Sequence, residues 1–218
     1  MGLQVTAATP SWQYLGPGDP RLRPTPDPGR SRARLDQAVL ASVEQRQERE
    51  RIRHLLDEHG SALAERTTAP GHLTGSALVV DPSTRQILLL LHTKLGRWLQ
   101  PGGHADGDHE LAGVALREAR EETGIEGLRV LVPAIDVDIH PVEHGDELGT
   151  HLHLDLRFLV VTPPGATVQA NHESLDQRWV GRRELEDAVD EVGILRLADA
   201  ALDALIRHPP GSSTTPSS

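Results

Sequence analysis

Residues 98–125 read WLQPGGHADGDHELAGVALREAREETGI and contain three glutamates that a helix would place on one side. Glu118, Glu121 and Glu122 have the three- and four-residue spacing of neighbours on a helical surface. Carboxylates so close together repel one another unless a cation lies between them. The hard divalent ion Mg²⁺, which binds carboxylate and phosphate oxygens, is the natural candidate for that cation.

The residues around the glutamates predict a helix preceded by a loop that approaches a ligand. Apolar residues recur there at helical spacing, namely Leu111, Ala112, Ala115, Leu116 and Ala119. The Pro-Gly-Gly sequence at 101–103 would bring backbone close to a ligand, and Gly124 would end the helix. Arg117 is expected to pair with Glu121, four residues later. A solvated acidic helix is the alternative, and the glycine loop argues against it.

The stretch resembles the Nudix box, whose pattern is G-x5-E-x7-R-E-U-x-E-E-x-G-U, where U is an aliphatic residue. The residues that fit the pattern are Gly103, Arg117, Glu118, Ala119, Glu121, Glu122, Gly124 and Ile125. One position departs from it, because His109 stands where the pattern has its first Glu. That Glu is not usually a principal metal ligand in the family, and the neighbouring Asp108 or Glu110 could take its role.

The resemblance covers about residues 72–185 and implies the α/β (α+β) Nudix fold, a mixed β-sheet sandwiched between helices. It also implies a pyrophosphohydrolase that cleaves a phosphoanhydride in a nucleoside diphosphate linked to another group, X. Glu118, Glu121 and Glu122 would hold Mg²⁺, with Mn²⁺ as the alternative ion. The phrases KLGRWLQPGGHADGD and HLTGSALVVD resemble a bacterial subgroup whose substrate the sequence does not identify.

The resemblance also implies the other catalytic residues. Glu173, six residues before Trp179, stands where a loop Glu of the family commonly supplies a metal ligand or the general base. One of the box glutamates, such as Glu121, is the alternative base, and Arg117 is expected to fix the direction of its side chain.

Substrate-binding residues are expected around the glycine loop and on one later strand. Lysine and arginine side chains there could neutralise phosphate charge, and Trp98 or Phe158 could stack on a base. The predicted set comprises Lys94, Arg97, Trp98, Gly102, Gly103, His153 and Arg157.

Two further patterns predict strands. The sequence HLTGSALVV, the turn signal DPSTR and QILLLLHT together predict a β-hairpin. Alternation in THLHLDLRFLVV predicts a strand with His151, His153, Asp155 and Arg157 on one face. We expect this face to line the substrate pocket, and a solvated sheet edge is the alternative. A transition-metal site is a third interpretation of the polar cluster, which comprises His140, His144, His151, His153 and Asp155.

Composition limits the class of protein. The chain has 218 residues, no cysteine and a formal net charge of −10. Without cysteine there are no disulfides and no thiolate zinc site, and the longest aliphatic run, residues 87–91, cannot span a bilayer. We therefore expect a cytoplasmic protein with no membrane partner and a small phosphorylated nucleotide as substrate. The negative charge argues against nucleic-acid binding.

Four segments are expected along the chain. Residues 1–30, rich in Pro and Gly, predict a disordered leader, and residues 31–70 predict a helical extension that caps the body. A dimerisation arm, and hence a homodimer, is the alternative role for the extension. Residues 71–208 are expected to form the Nudix domain, and residues 209–218 a disordered tail.

Three functions remain open at this point. The first is hydrolysis of ADP-ribose or a nucleotide sugar, for which Pro141, sixteen residues beyond Ile125, is a weak indication through the resemblance. The second is a ligand-sensing Nudix module without catalysis, suggested by His109 and the N-terminal extension. The third is a histidine-rich metal-binding protein.

Overall fold

A computed structural model describes residues 11–93, 95–143, 150–168, 174–189 and 191–211. Its centre is a mixed sheet in which nine strands are described. The strands are β1 (Gln13–Leu15), β2 (Gly71–Val80), β3 (Ile87–His92), β4 (Trp98–Leu99), β5 (Gly102–His104), β6 (Arg129–Val132), β7 (Asp136–Glu143), β8 (Thr150–Val161) and β9 (Ser174–Val180). The helices are α1 (Pro28–Gln37), α2 (Val43–His59), α3 (Leu111–Thr123), α4 (Arg182–Ala188) and α5 (Val192–Arg207).

Strands β2 and β8 form the parallel centre of the sheet, and the remaining strand pairs are antiparallel. The main path runs β1-β6-β8-β2-β3-β4, with β5 on β2, β7 on β8 and β9 on β3. Every residue of β2 is buried, as expected for a near-continuous apolar run covered on both faces. The predicted hairpin is confirmed by the antiparallel pairing of Val80 with Ile87.

Helices cover both faces of the sheet, which confirms the predicted layered fold. The alternating residues Leu154, Leu156 and Phe158 of β8 pack in one apolar cluster with α1, α2 and α3. Leu159 and Val161, on the other face of β8, pack with α4 and α5. Fully burying one such side chain contributes about 1.5–3 kcal/mol. The two clusters therefore hold the layers together.

Helix α3 lies directly against β2 because a glycine permits it. A Cβ atom at Gly75 would lie 2.7 Å from the Leu111 carbonyl oxygen and 3.2 Å from the Ala115 nitrogen. Any larger residue at position 75 would push the helix away from the sheet.

The N-terminal segment is ordered where the structure describes it, so the expectation of a disordered leader is wrong for residues 11–30. Strand β1 pairs with β6, and Leu15 is 1% exposed. Two of its prolines begin helical turns, because Pro20 and Pro28 each follow an aspartate cap. Asp19 caps a 3-10 turn (Pro20–Leu22), and Asp27 caps α1. Proline suits the first helical position, since its missing N–H needs no partner there.

The helical extension packs against the apolar cluster that contains α3, and its role as a cap stays a prediction. It is divided into α1, α2 and a 3-10 turn (Gly60–Ala64), and Gly60 ends α2 with a φ of +58°. Leu35, Ile52 and Leu63 belong to the apolar cluster that contains α3. Among the described residues, no helix has the length and apolar character needed to cross a membrane.

A buried ion pair joins the extension to the loop before α3. The Glu110 side chain is 0% exposed, and its carboxylate accepts from Arg34 Nε at 2.8 Å. Arg30 Nε lies 3.3 Å from the second carboxylate oxygen. Burial raises the pKa of Glu110 above its ordinary value, against the opposing effect of the two arginines.

Replacing Arg34 with alanine should destabilise the protein by about 3–5 kcal/mol, because Glu110 would lose its main partner inside the fold. Urea denaturation at neutral pH measures this loss. The loss of stability should be smaller near pH 4. Glu110, whose pKa is raised in the folded protein, is then protonated, and a neutral carboxyl group no longer needs a cationic partner. The matched control is Arg32→Ala on the same helix, whose partner Asp57 is exposed, and it should cost about 0–1 kcal/mol. Equal losses in the two variants would contradict the role of the buried pair.

Candidate active site

The predicted helix and its glycine loop are confirmed, with α3 ending at Gly124 in the left-handed conformation at a φ of +63°. Two glutamates of α3 meet the backbone of β5. A Cβ atom at Gly103 would lie 2.4 Å from the Glu118 carboxylate, so only glycine leaves room for that side chain. The Gly102 N–H points to Glu122 Oε1 at 3.5 Å, a long contact. The backbone of Gly102 and Gly103 therefore contacts the side chains of Glu118 and Glu122.

Arg117 fixes the direction of Glu118. Its Nη2 donates to Glu118 Oε1 at 3.1 Å and to the His104 carbonyl at 3.4 Å. We expected Arg117 to pair with Glu121, whereas these contacts of its guanidinium group are with Glu118 and β5. Arg117 Nη1 is also 3.7 Å from the Asp108 carboxylate.

The box glutamates offer oxygen ligands, which suit Mg²⁺. Glu118 and Glu122 are partly buried, whereas Glu121 is exposed. Within the described part of the chain, the one group whose ligand atoms all lie within 4.8 Å of one another consists of histidines, not of these three glutamates. Mg²⁺ usually keeps several waters, so carboxylates farther apart still fit it.

His109, at the departing position of the box, ties the loop to the extension. Its ring is fully buried, with Nδ1 2.9 Å from Ser31 Oγ and Nε2 3.1 Å from the Ser61 carbonyl oxygen. Because a carbonyl can only accept, Nε2 carries the ring proton. The His109 backbone N–H donates to the Thr25 carbonyl at 2.7 Å.

Asp108 and Glu110, which flank His109, differ in their partners. Asp108 Oδ1 accepts from the backbone of Thr25 and of Glu110, while its other oxygen faces Arg117. Glu110 is committed to Arg34. Of the two, Asp108 is therefore the one whose carboxylate faces Arg117 of the box helix.

Restoring the family residue, as His109→Glu, should destabilise the protein by about 3 kcal/mol or more, because a carboxylate cannot donate to the Ser61 carbonyl and would be buried unpaired. Chemical denaturation gives the loss. His109→Gln keeps an N–H donor and no charge, so it should cost only about 1 kcal/mol. A Glu variant as stable as the parent would show that the loop readily accepts the ordinary box residue.

The predicted phosphate ligands lie in different environments. Arg97 is 66% exposed, with Nη1 3.6 Å from Glu191, and is accessible to a ligand. Trp98, half-buried in β4, packs against the apolar cluster beneath α5. Phe158 is fully buried in the other cluster, so it cannot stack on a base. The predictions for Lys94 and Glu173 fall outside the described residues.

Arg157 belongs to a buried charge network and does not face a ligand. Its side chain is 3% exposed, and its guanidinium group lies 2.8 Å from Asp155, 2.7 Å from Asp138 and 3.5 Å from Asp136. From α5, Arg196 reaches Asp136 and Asp138 at 3.0 and 2.9 Å. The charge of Arg157 is therefore already compensated, which argues for a structural role in place of the expected phosphate contact.

The same network stabilises the ionised form of Asp138. Burial alone would favour the neutral acid, but the hydrogen bond from His140 and the charge of Arg157 lower the pKa of Asp138 below its ordinary range. The His140 Nδ1 atom lies 2.8 Å from the Asp138 carboxylate.

A histidine cluster lies on the sheet face that carries this network. His153 is joined there by His72 of β2 and His104 of β5, which the sequence analysis did not single out. Their rings lie 5.1 and 5.0 Å from that of His153. Burial, together with the neighbouring histidines, lowers the pKa of His153 to about 2, so its ring is neutral. Only the strand register, which pairs His72 with His153 and Thr74 with His104, brings these distant residues together.

The family model for the NUDIX domain matches residues 71–198, more than half of the chain. The chain therefore belongs to the NUDIX family, as the box indicates.

Solved structures similar to this chain include two hydrolases. An Ap4A hydrolase of C. elegans, solved as a binary complex, superimposes with a TM-score of 0.51 at 18% identity, over 62% of this chain and 97% of that one. That likeness shows the fold. A NUDIX family hydrolase of Clostridium perfringens is 23% identical, with a TM-score of 0.46, over 62% of this chain and 97% of that one.

A curated relative, the m7GpppN-mRNA hydrolase NUDT17 of Danio rerio, is 32% identical over 79 residues, or 34% of this chain. The match spans about a quarter, 26%, of that relative's length. Because this relative is a vertebrate protein, the resemblance to a bacterial subgroup remains a prediction.

Proposed function

We propose that this protein is a Mg²⁺-dependent hydrolase that cleaves a phosphoanhydride in a nucleoside diphosphate linked to a second group, X. The observation that carries the proposal is the contact of Glu118 and Glu122 with the glycine backbone of β5, in a chain of the NUDIX family. Glu118, Glu121 and Glu122 would hold the ion, and Mn²⁺ is the alternative to Mg²⁺. We also propose a cytoplasmic location for the enzyme.

When bound, the ion would offset phosphate charge and lower the pKa of an attacking water. The chain itself supplies positioning. Arg117 holds Glu118 in place, and glycines 102 and 103 let a diphosphate approach the backbone. As water attacks phosphorus, the anhydride P–O bond breaks and a carboxylate accepts the proton. We assign that carboxylate to Glu121, which is exposed on α3, or to Glu173.

The substrate class follows from the same surface. Arg97, which is accessible, and Lys94 would neutralise phosphate charge beside the glycine loop, and Trp98 would border the substrate. His153 was also expected there, but its side chain lies on the sheet face opposite to Glu118, so we do not assign it to the substrate. Relatives are named as hydrolases of Ap4A and of m7GpppN-mRNA, both of which contain phosphoanhydride bonds. The formal net charge of −10 favours a small nucleotide such as ADP-ribose or a nucleotide sugar over a long RNA.

Replacing Glu122 with glutamine should lower kcat/KM by about 100-fold or more while leaving the fold intact, since one charged ligand of the ion is lost. Formation of nucleotide products with Mg²⁺ is measured by chromatography over ADP-ribose, nucleotide sugars, dinucleoside polyphosphates and nucleoside triphosphates. Turnover of one class, abolished in the variant, would identify the substrate class.

The matched control is Glu126→Gln, just beyond the same helix, whose side chain is 83% exposed. It should keep full activity. An unchanged rate in Glu122→Gln would contradict the site assignment. Nucleotide binding by calorimetry without any turnover would favour the ligand-sensing module over the enzyme.

A further inference from the structure

Histidines from four strands converge on one face of the sheet. His72 lies on β2, His104 on β5, His140 on β7, and His151 and His153 on β8. Ring centroids in this cluster lie 4.8–5.4 Å from their neighbours. Three of the five, His72, His104 and His153, each offer a ligand atom within 4.8 Å of the other two.

This spacing suits a shared metal ion. A nitrogen–metal distance of about 2.0–2.1 Å places the ligands of a tetrahedral ion roughly 3.4 Å apart. Small rotations of the imidazole rings would close the remaining gap, because His104 and His153 are only partly buried. The Nε2 atom of His153 is buried and neither donates nor accepts a hydrogen bond within the described structure. A buried imidazole nitrogen is costly to leave unsatisfied, and a metal ion would satisfy it.

The type of ligand selects the type of ion. Neutral imidazoles favour Zn²⁺, Cu²⁺, Ni²⁺ or Fe²⁺, whereas Mg²⁺ favours oxygen ligands. The nearby carboxylate of Asp155 is not available as a ligand, because it accepts from Thr74, Ser76 and Arg157. The site therefore lacks a carboxylate, and three nitrogen ligands leave a fourth tetrahedral position open.

The cluster is separate from the box glutamates. Successive side chains of a strand point to opposite faces of the sheet. Gly103 faces Glu118, so the next residue, His104, points to the other side of β5. That side is the one on which Thr74, the register partner of His104, contacts Asp155.

We propose that His72, His104 and His153 bind one divalent transition-metal ion of the Zn²⁺ type, on the face of the sheet opposite to the Mg²⁺-binding glutamates. The ion joins β2, β5 and β8. His140 and His151 border it, and the Asp138 carboxylate orients the His140 ring.

The test is Zn²⁺ titration by calorimetry of the 218-residue chain, stripped of metal with a chelator and kept in excess Mg²⁺. The chain should bind one equivalent of Zn²⁺, and Co²⁺ in its place should show the visible absorption of a tetrahedral site. The double variant His104→Gln, His153→Gln should bind at least about 100-fold more weakly, since loss of an outer-shell partner alone costs about 10–100-fold.

Two controls separate this site from others. His54→Gln removes an exposed histidine of α2 and should leave Zn²⁺ binding unchanged. Glu122→Gln should also bind Zn²⁺ as the parent does, whatever its hydrolase activity. Circular dichroism and thermal unfolding verify the fold, and His104→Gln alone serves if the double variant does not fold.

Zn²⁺ binding of equal strength in the histidine variant and the parent would overturn the proposal. So would binding that is lost in Glu122→Gln, because it would place the ion at the glutamates. Absence of Zn²⁺ binding by the parent would overturn it as well.

Discussion

The parallel pairing of β2 with β8 is the constraint on which the rest of the structure depends. It runs in continuous register from Gly71 and Leu152 to Val80 and Val161. Because side chains alternate along a strand, this register decides which residues meet each helical layer. A slip of one residue would turn Phe158 away from its apolar cluster and carry the Arg157 guanidinium group into it. The register of β2 with β8 therefore determines both the apolar core and the polar face of the sheet.

The altered box position and the N-terminal extension have one physical explanation. In this chain the loop before α3 is held by groups of the extension: Ser31 and Ser61 contact His109, and Arg34 pairs with Glu110. The imidazole of His109 has one ring nitrogen for each of its two serine partners, and Nε2 donates to Ser61. A carboxylate cannot donate to that carbonyl. The extension therefore contributes to the shape of the loop that leads into the glutamate helix.

Short patterns in the sequence predicted the features that depend on interactions between residues close together in the chain. The spacing of the glutamates and alanines predicted α3, the turn signal predicted the β2–β3 hairpin, and the box indicated the family. Residues whose roles depend on distant partners were not predicted. The ordered segment 11–30 needs β6 and α3 as supports, and the compensation of Arg157 needs aspartates from two strands. His72 and His104 join His153 only through strand register, which no short window of sequence contains.

The charge network beneath α5 limits which substitutions this protein can accept during evolution. Three carboxylates, on Asp136, Asp138 and Asp155, surround two guanidinium groups, on Arg157 and Arg196. Loss of either arginine leaves buried carboxylates uncompensated, and loss of an aspartate removes a partner of a buried guanidinium group. The effects of such losses on stability are not additive. Among related sequences these five positions should therefore change together or not at all, so that the network is inherited as a unit.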